Sequence, residues 1–354
     1  MMKTLPLCDP LISNYPQHAF YLSIISDHQE CQPWIYSNYT HLFLSDWKND
    51  EIFLDFYVQT PEHHFNPWFK DSQRLHRDLI LGSIPDFISF IKDQIDSGYY
   101  VWTHVDEYYI PDTPSFRNYR FAHAIMIYGY DDTAREFQLA GFFKYRIYSR
   151  TTVSYDDLKT AFEHCDIYDD YLNFTHLLKI NPEYHNGKIY EFSLSYFAEC
   201  MENYYTSRNE TENFKSFYTP ALYSDRTFGL DIYHKLIMFF EMMLSKQRTI
   251  DTRLLYTLKE HKKFMNLKIK YIEQEGHYVF PVKFKDNYIR VEQEATIILN
   301  QFLKYGMTQR EDHIISLMGR LGALYQLEKE SLELLLNDFN SRGIRSGKPI
   351  LSQS

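Results

Sequence analysis

The chain has 354 residues, which exceeds the size of one typical domain and predicts two. It contains 31 tyrosines, 27 phenylalanines and 4 tryptophans but only 12 glycines, a composition that excludes a disordered or low-complexity chain. No GxGxxG phosphate loop occurs, and a net charge of −10 argues against sequence-independent binding of nucleic acid, which requires lysine and arginine.

The N-terminal residues and the cysteines indicate the compartment. The opening MMKTLPLCDPL lacks the apolar stretch of a signal peptide, and no apolar run of about 18 residues predicts a membrane span. The four cysteines form no CxxC pair, which argues against a zinc knuckle and fits a reducing compartment. We therefore expect a cytoplasmic protein without a membrane partner, a metal or another cofactor.

Helix and strand patterns alternate through the first half of the chain. The spacing of apolar residues predicts, in chain order, a helix over 18–29, a helix from 31 to 39, a strand over 51–58, a helix over 84–97 and strands over 99–105, 121–130 and 136–140. Gly98 is placed to end the fourth of these elements, and Ser154 with Asp157 forms a capping box that begins a further helix.

The second half is predominantly helical. Helical periodicity covers 189–206, 229–246, 250–275 and 309–340, and a short β-like patch (277–282 with 288–291) interrupts it. These patterns predict an α+β domain over 1–180 and a mainly helical domain over 181–354.

Positive charge concentrates in one predicted helical segment, although the whole chain is acidic. Basic residues recur there with helical spacing: Lys246, Arg248, Arg253, Lys259, Lys262, Lys263, Lys268 and Lys270. They predict either a solvated helix face or a docking surface for an acidic partner.

The most informative unit is a helix near the N-terminus followed by a strand meander that carries His123. Its pieces are YYVWTHVDEYYIP (99–111), HAIMIYGYDD (123–132) and VSYDDLKTAF (153–162). In order and spacing they resemble the butirosin-biosynthesis protein H family of the C39-like peptidase superfamily. The resemblance implies a papain-like fold with an antiparallel sheet, in which the segment 17–44 supplies the nucleophile helix.

The resemblance also implies an activity. Members of this family transfer an aminoacyl group from the phosphopantetheine thioester of a carrier protein to an amine in antibiotic biosynthesis. The expected partners are therefore an acyl or peptidyl carrier protein of a non-ribosomal peptide or polyketide assembly line and a small-molecule amine acceptor.

Two expected catalytic residues are replaced in this chain. The family's nucleophile falls in a His-Cys pair, which here is His18-Ala19. The acid that orients the histidine is expected 16–18 residues after it, and Gly141 stands there. His123 alone supplies a general base but no nucleophile for it to activate.

Cys31 is the one cysteine that could restore a Cys–His mechanism. It stands at the start of a predicted helix, where the helix dipole stabilises a thiolate, so Cys31 with His123 is the catalytic hypothesis. The alternative is a buried structural cysteine.

Other residues are candidates for binding. The aromatic and polar residues expected to line the cleft are His18, Trp34, His104, Asp106, Tyr108 and Tyr128. His104, Asp106 and His123 could instead form a two-histidine, one-carboxylate metal set, or be hydrogen-bonded residues of the sheet. His63-His64 is a loop pair that could bind metal incidentally.

Two functions follow from these observations. The first is an acyltransferase or amide hydrolase with a degenerate Cys-His-Asp triad, acting through Cys31 and His123. The second is a catalytically inactive relative that serves as a binding or scaffold partner of an assembly line.

Overall fold

The computed structural model describes residues 1–46, 52–58, 66–69, 72–166, 172–180, 190–211, 226–246 and 251–344. Within them the chain is α+β and forms two compact units. The first unit comprises 1–32 and 62–190, and the second comprises 33–61 and 191–354. Residues 33–61, which the sequence analysis includes in the N-terminal domain, thus belong to the unit that holds the C-terminal helices.

The strands occur mainly in the first half of the chain. They are β1 (Met2–Thr4), β2 (His41–Asp46), β3 (Ile52–Tyr57), β4 (Gln73–His76), β5 (Tyr100–Asp106), β6 (Ala122–Asp131), β7 (Glu136–Phe142), β8 (Tyr148–Ser154), β9 (Phe174–Leu178) and β10 (Arg226–Phe228).

The helices lengthen toward the C-terminus. They are α1 (Pro16–Ile25), α2 (Gln32–Ser37), α3 (Arg77–Ser83), α4 (Phe87–Asp96), α5 (Tyr155–Glu163), α6 (Leu194–Tyr205), α7 (Ile232–Leu244), α8 (Arg253–Gln274), α9 (Val282–Thr308) and α10 (Glu311–Ser341). Short 3-10 helices occur at Gln29–Cys31, Pro67–Phe69, Glu107–Tyr109, Lys144–Arg146 and Gly229–Asp231.

The first unit is built on an antiparallel sheet with the order β4-β9-β5-β6-β7-β8, and β1 also pairs with β6. Helix α1 packs on one face, where Phe20 lies 5.5 Å from Trp102 between ring centroids. Helix α5 packs on the other, where Tyr155 lies 4.5 Å from Phe137. Trp102 and Phe137 lie on opposite faces of the sheet. Strand pairing aligns Trp102 with Ala140 of β7, and Phe137 is three residues from Ala140, an odd separation that places it on the other face.

The predicted capping box at the start of α5 is confirmed. The Asp157 amide donates to the Ser154 hydroxyl at 3.0 Å, and that hydroxyl donates to the Asp157 carboxylate at 2.7 Å. The turn between β6 and β7 is fixed locally as well, because the Asp131 carboxylate accepts from the Thr133 amide at 2.8 Å.

The second unit combines the small antiparallel sheet β10-β2-β3 with helices α6 to α10. Its sheet buries an aromatic cluster of Phe43, Tyr57 and Phe228. The strand β2 was not predicted: residues 41–44 were expected within the nucleophile-helix segment, but they pair with β3 and β10.

One buried carboxylate connects the five long helices of the second unit. Glu328 of α10 pairs with Lys262 of α8 at 2.7 Å, and both side chains are fully buried. Three tyrosine hydroxyls complete the network: Tyr204 of α6, Tyr233 of α7 and Tyr288 of α9 donate to the Glu328 carboxylate at 3.3, 2.7 and 3.1 Å. Every charge in the network is therefore compensated and hydrogen-bonded.

Two predictions for the second half of the chain are wrong. The β-like patch does not form strands, because residues 288–291 lie inside α9, which buries Phe284, Tyr288 and Val291 at helical spacing. The basic residues do not share one solvated helix face, because Lys262 and Lys268 are completely buried. Arg248 lies outside the described residues, and a docking surface formed by the exposed basic residues stays a prediction.

Candidate active site

His123 lies near the start of β6 with about a quarter of its side chain exposed (24%). Its Nδ1 atom is 2.8 Å from Oε1 of Glu107, which lies in the 3-10 helix after β5. The two atoms are close but lack the alignment of a hydrogen bond. Loose alignment is common in ligand-free active sites, so the pair remains a candidate base with its orienting acid.

The Glu107 carboxylate is held in place by further contacts. It is 1% exposed, and Ser115 donates to its Oε2 atom at 2.9 Å. The guanidinium of Arg146, beyond the end of β7, lies 3.9 Å from the same oxygen. These contacts hold the carboxylate beside Nδ1 of His123, so Nε2 is the ring nitrogen left to act as a base.

Asp106 organises the loop that carries Glu107. One of its carboxylate oxygens accepts from the amides of Tyr108 and Phe121 at 3.0 and 3.1 Å, and its other oxygen pairs with Arg120. The side chain is buried. Asp106 therefore fixes both ends of the loop and supports the site from behind.

His104 is close to His123 but on the other face of the sheet. The ladder pairs His104 with Ala124 and Val105 with His123, and neighbouring pairs alternate in face. Burial lowers the pKa of His104 to about 3, and the charges of His123, Arg77 and His176 add to this effect. His104 is consequently a neutral residue of the sheet at physiological pH.

The three proposed metal ligands do not converge. No group of three or more histidine, cysteine, aspartate or glutamate side chains that could hold a metal ion occurs among the described residues. The His104, Asp106 and His123 set is therefore not a metal site in this structure, and His63-His64 lies outside the described residues.

Cys31 gives little support to a cysteine mechanism. It ends the 3-10 helix before α2 and has no exposed surface. Burial, with the nearby Glu30 carboxylate, raises the pKa of its thiol, so the thiolate is disfavoured at neutral pH. Among the contacts of the described residues, none joins Cys31 to His123.

The positions expected for the nucleophile and the acid are occupied by packing residues. His18 and Ala19 lie in α1, and both are buried. At Gly141 a side chain would meet the ring of Phe143 at 3.1 Å, measured from the site of a Cβ atom. Glu107 approaches His123 from β5, the strand on the opposite side of β6 from Gly141.

The remaining predicted binding residues are divided between the two units. Trp34 belongs to the second unit, where its ring packs edge-on against Tyr39 at 6.3 Å. Tyr108 is half-buried against Tyr109 at 5.0 Å. Tyr128 is half-buried at the irregularity of β6, and burial raises the pKa of its hydroxyl.

Four residues of the site are absent from the sequence-based predictions: Glu107, Ser115, Tyr119 and Arg146. Glu107 had a detectable signal, since it directly follows the strand that pairs with the histidine strand. Arg146 had none, because it reaches the site through a turn in which Tyr145 and Arg146 both adopt the left-handed conformation without glycine (φ 58° and 55°).

Comparisons of the chain with protein-family models and with curated proteins found no match. Among the described helices, none combines the length and apolar character needed to cross a bilayer.

Proposed function

We propose that this chain is an acyltransferase-like protein in which His123, oriented by Glu107, acts as a general base without a cysteine nucleophile. The 2.8 Å contact between a partly exposed imidazole and a buried carboxylate carries this proposal. We also propose a papain-like fold for the first unit and the thioester of an acyl or peptidyl carrier protein as donor. No residue of α1 is the proposed nucleophile, because α1 packs on the sheet face of Trp102 and His104, opposite to His123.

The proposed reaction proceeds in one transfer. The nitrogen of a small amine acceptor forms a bond to the thioester carbon, and the carbon–sulfur bond breaks. His123 Nε2 takes the proton that the nitrogen loses and returns it to the departing thiolate. Glu107 stabilises the imidazolium formed between these two proton transfers. The burial of Cys31 and the alanine at position 19 support a route without an acyl-enzyme.

The test uses aminoacyl thioesters of N-acetylcysteamine as donors and ethanolamine as acceptor, with amide product measured by mass spectrometry. We expect product from the wild type and from Cys31→Ala, and a rate lower by about 10²–10⁴ in His123→Ala. Glu107→Gln, which keeps the size of the side chain, should reduce the rate in the same direction. Intact-protein mass should show no acyl adduct.

Other outcomes would contradict this mechanism. An acyl adduct that disappears in Cys31→Ala would establish the cysteine route. Equal rates for the wild type and His123→Ala would remove the general base.

A second candidate function is a non-catalytic partner of a carrier protein or assembly-line enzyme. The observation that favours it is Phe143, which fills the space beside Gly141 where the family's acid is expected. Saturable binding of an acyl-loaded carrier protein, with no product from any donor, would support this candidate over the first.

A further inference from the structure

A second pair of polar side chains adjoins the His123–Glu107 pair. The Arg146 guanidinium lies 3.9 Å from Glu107 through Nη1 and donates to the Tyr119 hydroxyl at 3.2 Å through Nη2. Tyr119 and Arg146 are each about two-fifths exposed (43% and 41%). One continuous set of polar contacts thus runs from the imidazole through the buried carboxylate to two accessible hydrogen-bond donors.

The backbone holds both donors in defined positions. The Tyr119 amide donates to the Ser115 carbonyl at 3.2 Å, and Asp106 fixes the end of the same loop at Phe121. Arg146 is presented by the turn in which it and Tyr145 adopt positive φ angles. Two successive non-glycine residues in this conformation cost on the order of 1 kcal/mol each or more, and such strain is frequently found at functional sites.

The bonding of Tyr119 leaves its own hydrogen available. Because the phenol oxygen accepts from Arg146, the hydroxyl hydrogen remains free to donate to another group. The neighbouring Ser115 hydroxyl and the hydrogen bond from Arg146 also lower the pKa of Tyr119, in keeping with surroundings that favour negative charge on this oxygen.

We infer that Tyr119 and Arg146 form an oxyanion-binding site for the acyl carbonyl of the substrate; this inference rests on the proposed function. When an amine attacks a thioester carbon, the carbonyl oxygen gains negative charge. A phenol hydroxyl and a guanidinium directed at that oxygen stabilise the transition state more than the ground state.

The first test measures transfer from the same aminoacyl N-acetylcysteamine thioesters to ethanolamine. Tyr119→Phe and Arg146→Met should each lower kcat by about 10²–10³, the loss that follows removal of one oxyanion donor, with little change in KM. Tyr145→Phe is the matched control, because Tyr145 is a highly exposed neighbour in the same turn (84%), and its kcat should stay at the wild-type value.

A second test does not depend on activity. The phenolate absorbance of the wild type minus that of Tyr119→Phe isolates the titration of Tyr119. We expect its midpoint below that of an ordinary tyrosine, and a return toward the ordinary value in the Arg146→Met background, where the neighbouring charge has been removed. Far-ultraviolet circular dichroism of each variant checks that the fold is retained.

The outcomes separate the two proposals. If His123→Ala is inactive while Tyr119→Phe and Arg146→Met keep the wild-type kcat, the oxyanion site is wrong and the proposed function stands. A Tyr119 titration that does not respond to Arg146→Met also overturns the site. Absence of product from the wild type removes both proposals.

Discussion

Lys268 illustrates, at the scale of one residue, the cost of a buried charge. Its ammonium donates to the Asn38 carbonyl at 2.7 Å and to the Thr40 hydroxyl, and no carboxylate of the described residues is among its partners. Burial lowers its pKa from 10.5 to about 7, although the Cys200 thiol acts in the opposite direction. The unfolded chain therefore binds this proton more tightly than the folded chain.

Replacement of Lys268 by methionine should change the pH dependence of stability. In the wild type this group destabilises the fold fully below pH 7, and the penalty disappears as the pH rises from about 7 to about 10.5. Over that window its contribution to the free energy of unfolding should rise by on the order of 5 kcal/mol, a rise that Lys268→Met lacks. Urea denaturation of both proteins across this range measures the difference.

An exposed lysine provides the control for this experiment. Lys263→Met removes a cation from the solvent side of the same helix, so its pH dependence should follow that of the wild type. Identical profiles for Lys268→Met and the wild type would contradict a depressed lysine pKa.

At the scale of elements, the capping box of α5 is a local interaction with a local effect. Ser154→Ala removes the acceptor of the Asp157 amide and should lower the free energy of unfolding by about 1 kcal/mol. Thr160→Ala is the matched control, because its hydroxyl only donates back to Asp156 within the same helix. Chemical denaturation of the two variants should therefore give clearly different midpoints, and equal midpoints would contradict the capping role.

The start of α5 and the end of α4 are predictable from the sequence, because each is determined by residues within one helical turn of one another. Ser154 and Asp157 lie three residues apart, and Gly98 adopts φ 86° after α4, as its position in the pattern predicts. The β-like patch failed for the opposite reason: aromatic and β-branched residues suit either a strand or a buried helix, and contacts distant in sequence decided for α9.

The candidate site was less predictable than the elements that carry it. His123 could be identified from its strand, but its partner Glu107 comes from the far side of a loop whose course depends on Asp106. The position of Arg146 depends on a turn that lacks glycine, so no residue type in the sequence indicates the left-handed conformation of that turn. Cys31 stands at a helix start as predicted, but its burial depends on packing that local spacing does not encode.

At the scale of the whole molecule, Glu328 should be among the most sensitive positions of the helical unit. Glu328→Gln keeps the size of the side chain but leaves the buried Lys262 ammonium without its counter-charge. We expect a loss of about 3–5 kcal/mol in the free energy of unfolding, because an uncompensated buried charge is far more costly than a lost surface pair. Denaturation of the intact chain in urea measures it.

Two further variants define the cause of that loss. Lys262→Met combined with Glu328→Leu removes both charges and should recover much of the stability. Glu163→Gln breaks a surface pair with Lys159 and should change stability by no more than about 1 kcal/mol. A double variant that is as unstable as Glu328→Gln would show that the charge pair is not the cause.

The alternation of the two units along the chain has a consequence for biosynthesis. The hairpin of β2 and β3 leaves the ribosome early, but its partner β10 follows only after the whole first unit has been made. During that interval the outer edge of β2 is an unpaired strand that could template misassembly. All residues of the first unit have been synthesised by position 190. The order of synthesis therefore favours folding of the first unit before the C-terminal helices are available to pack with the β2–β3 hairpin.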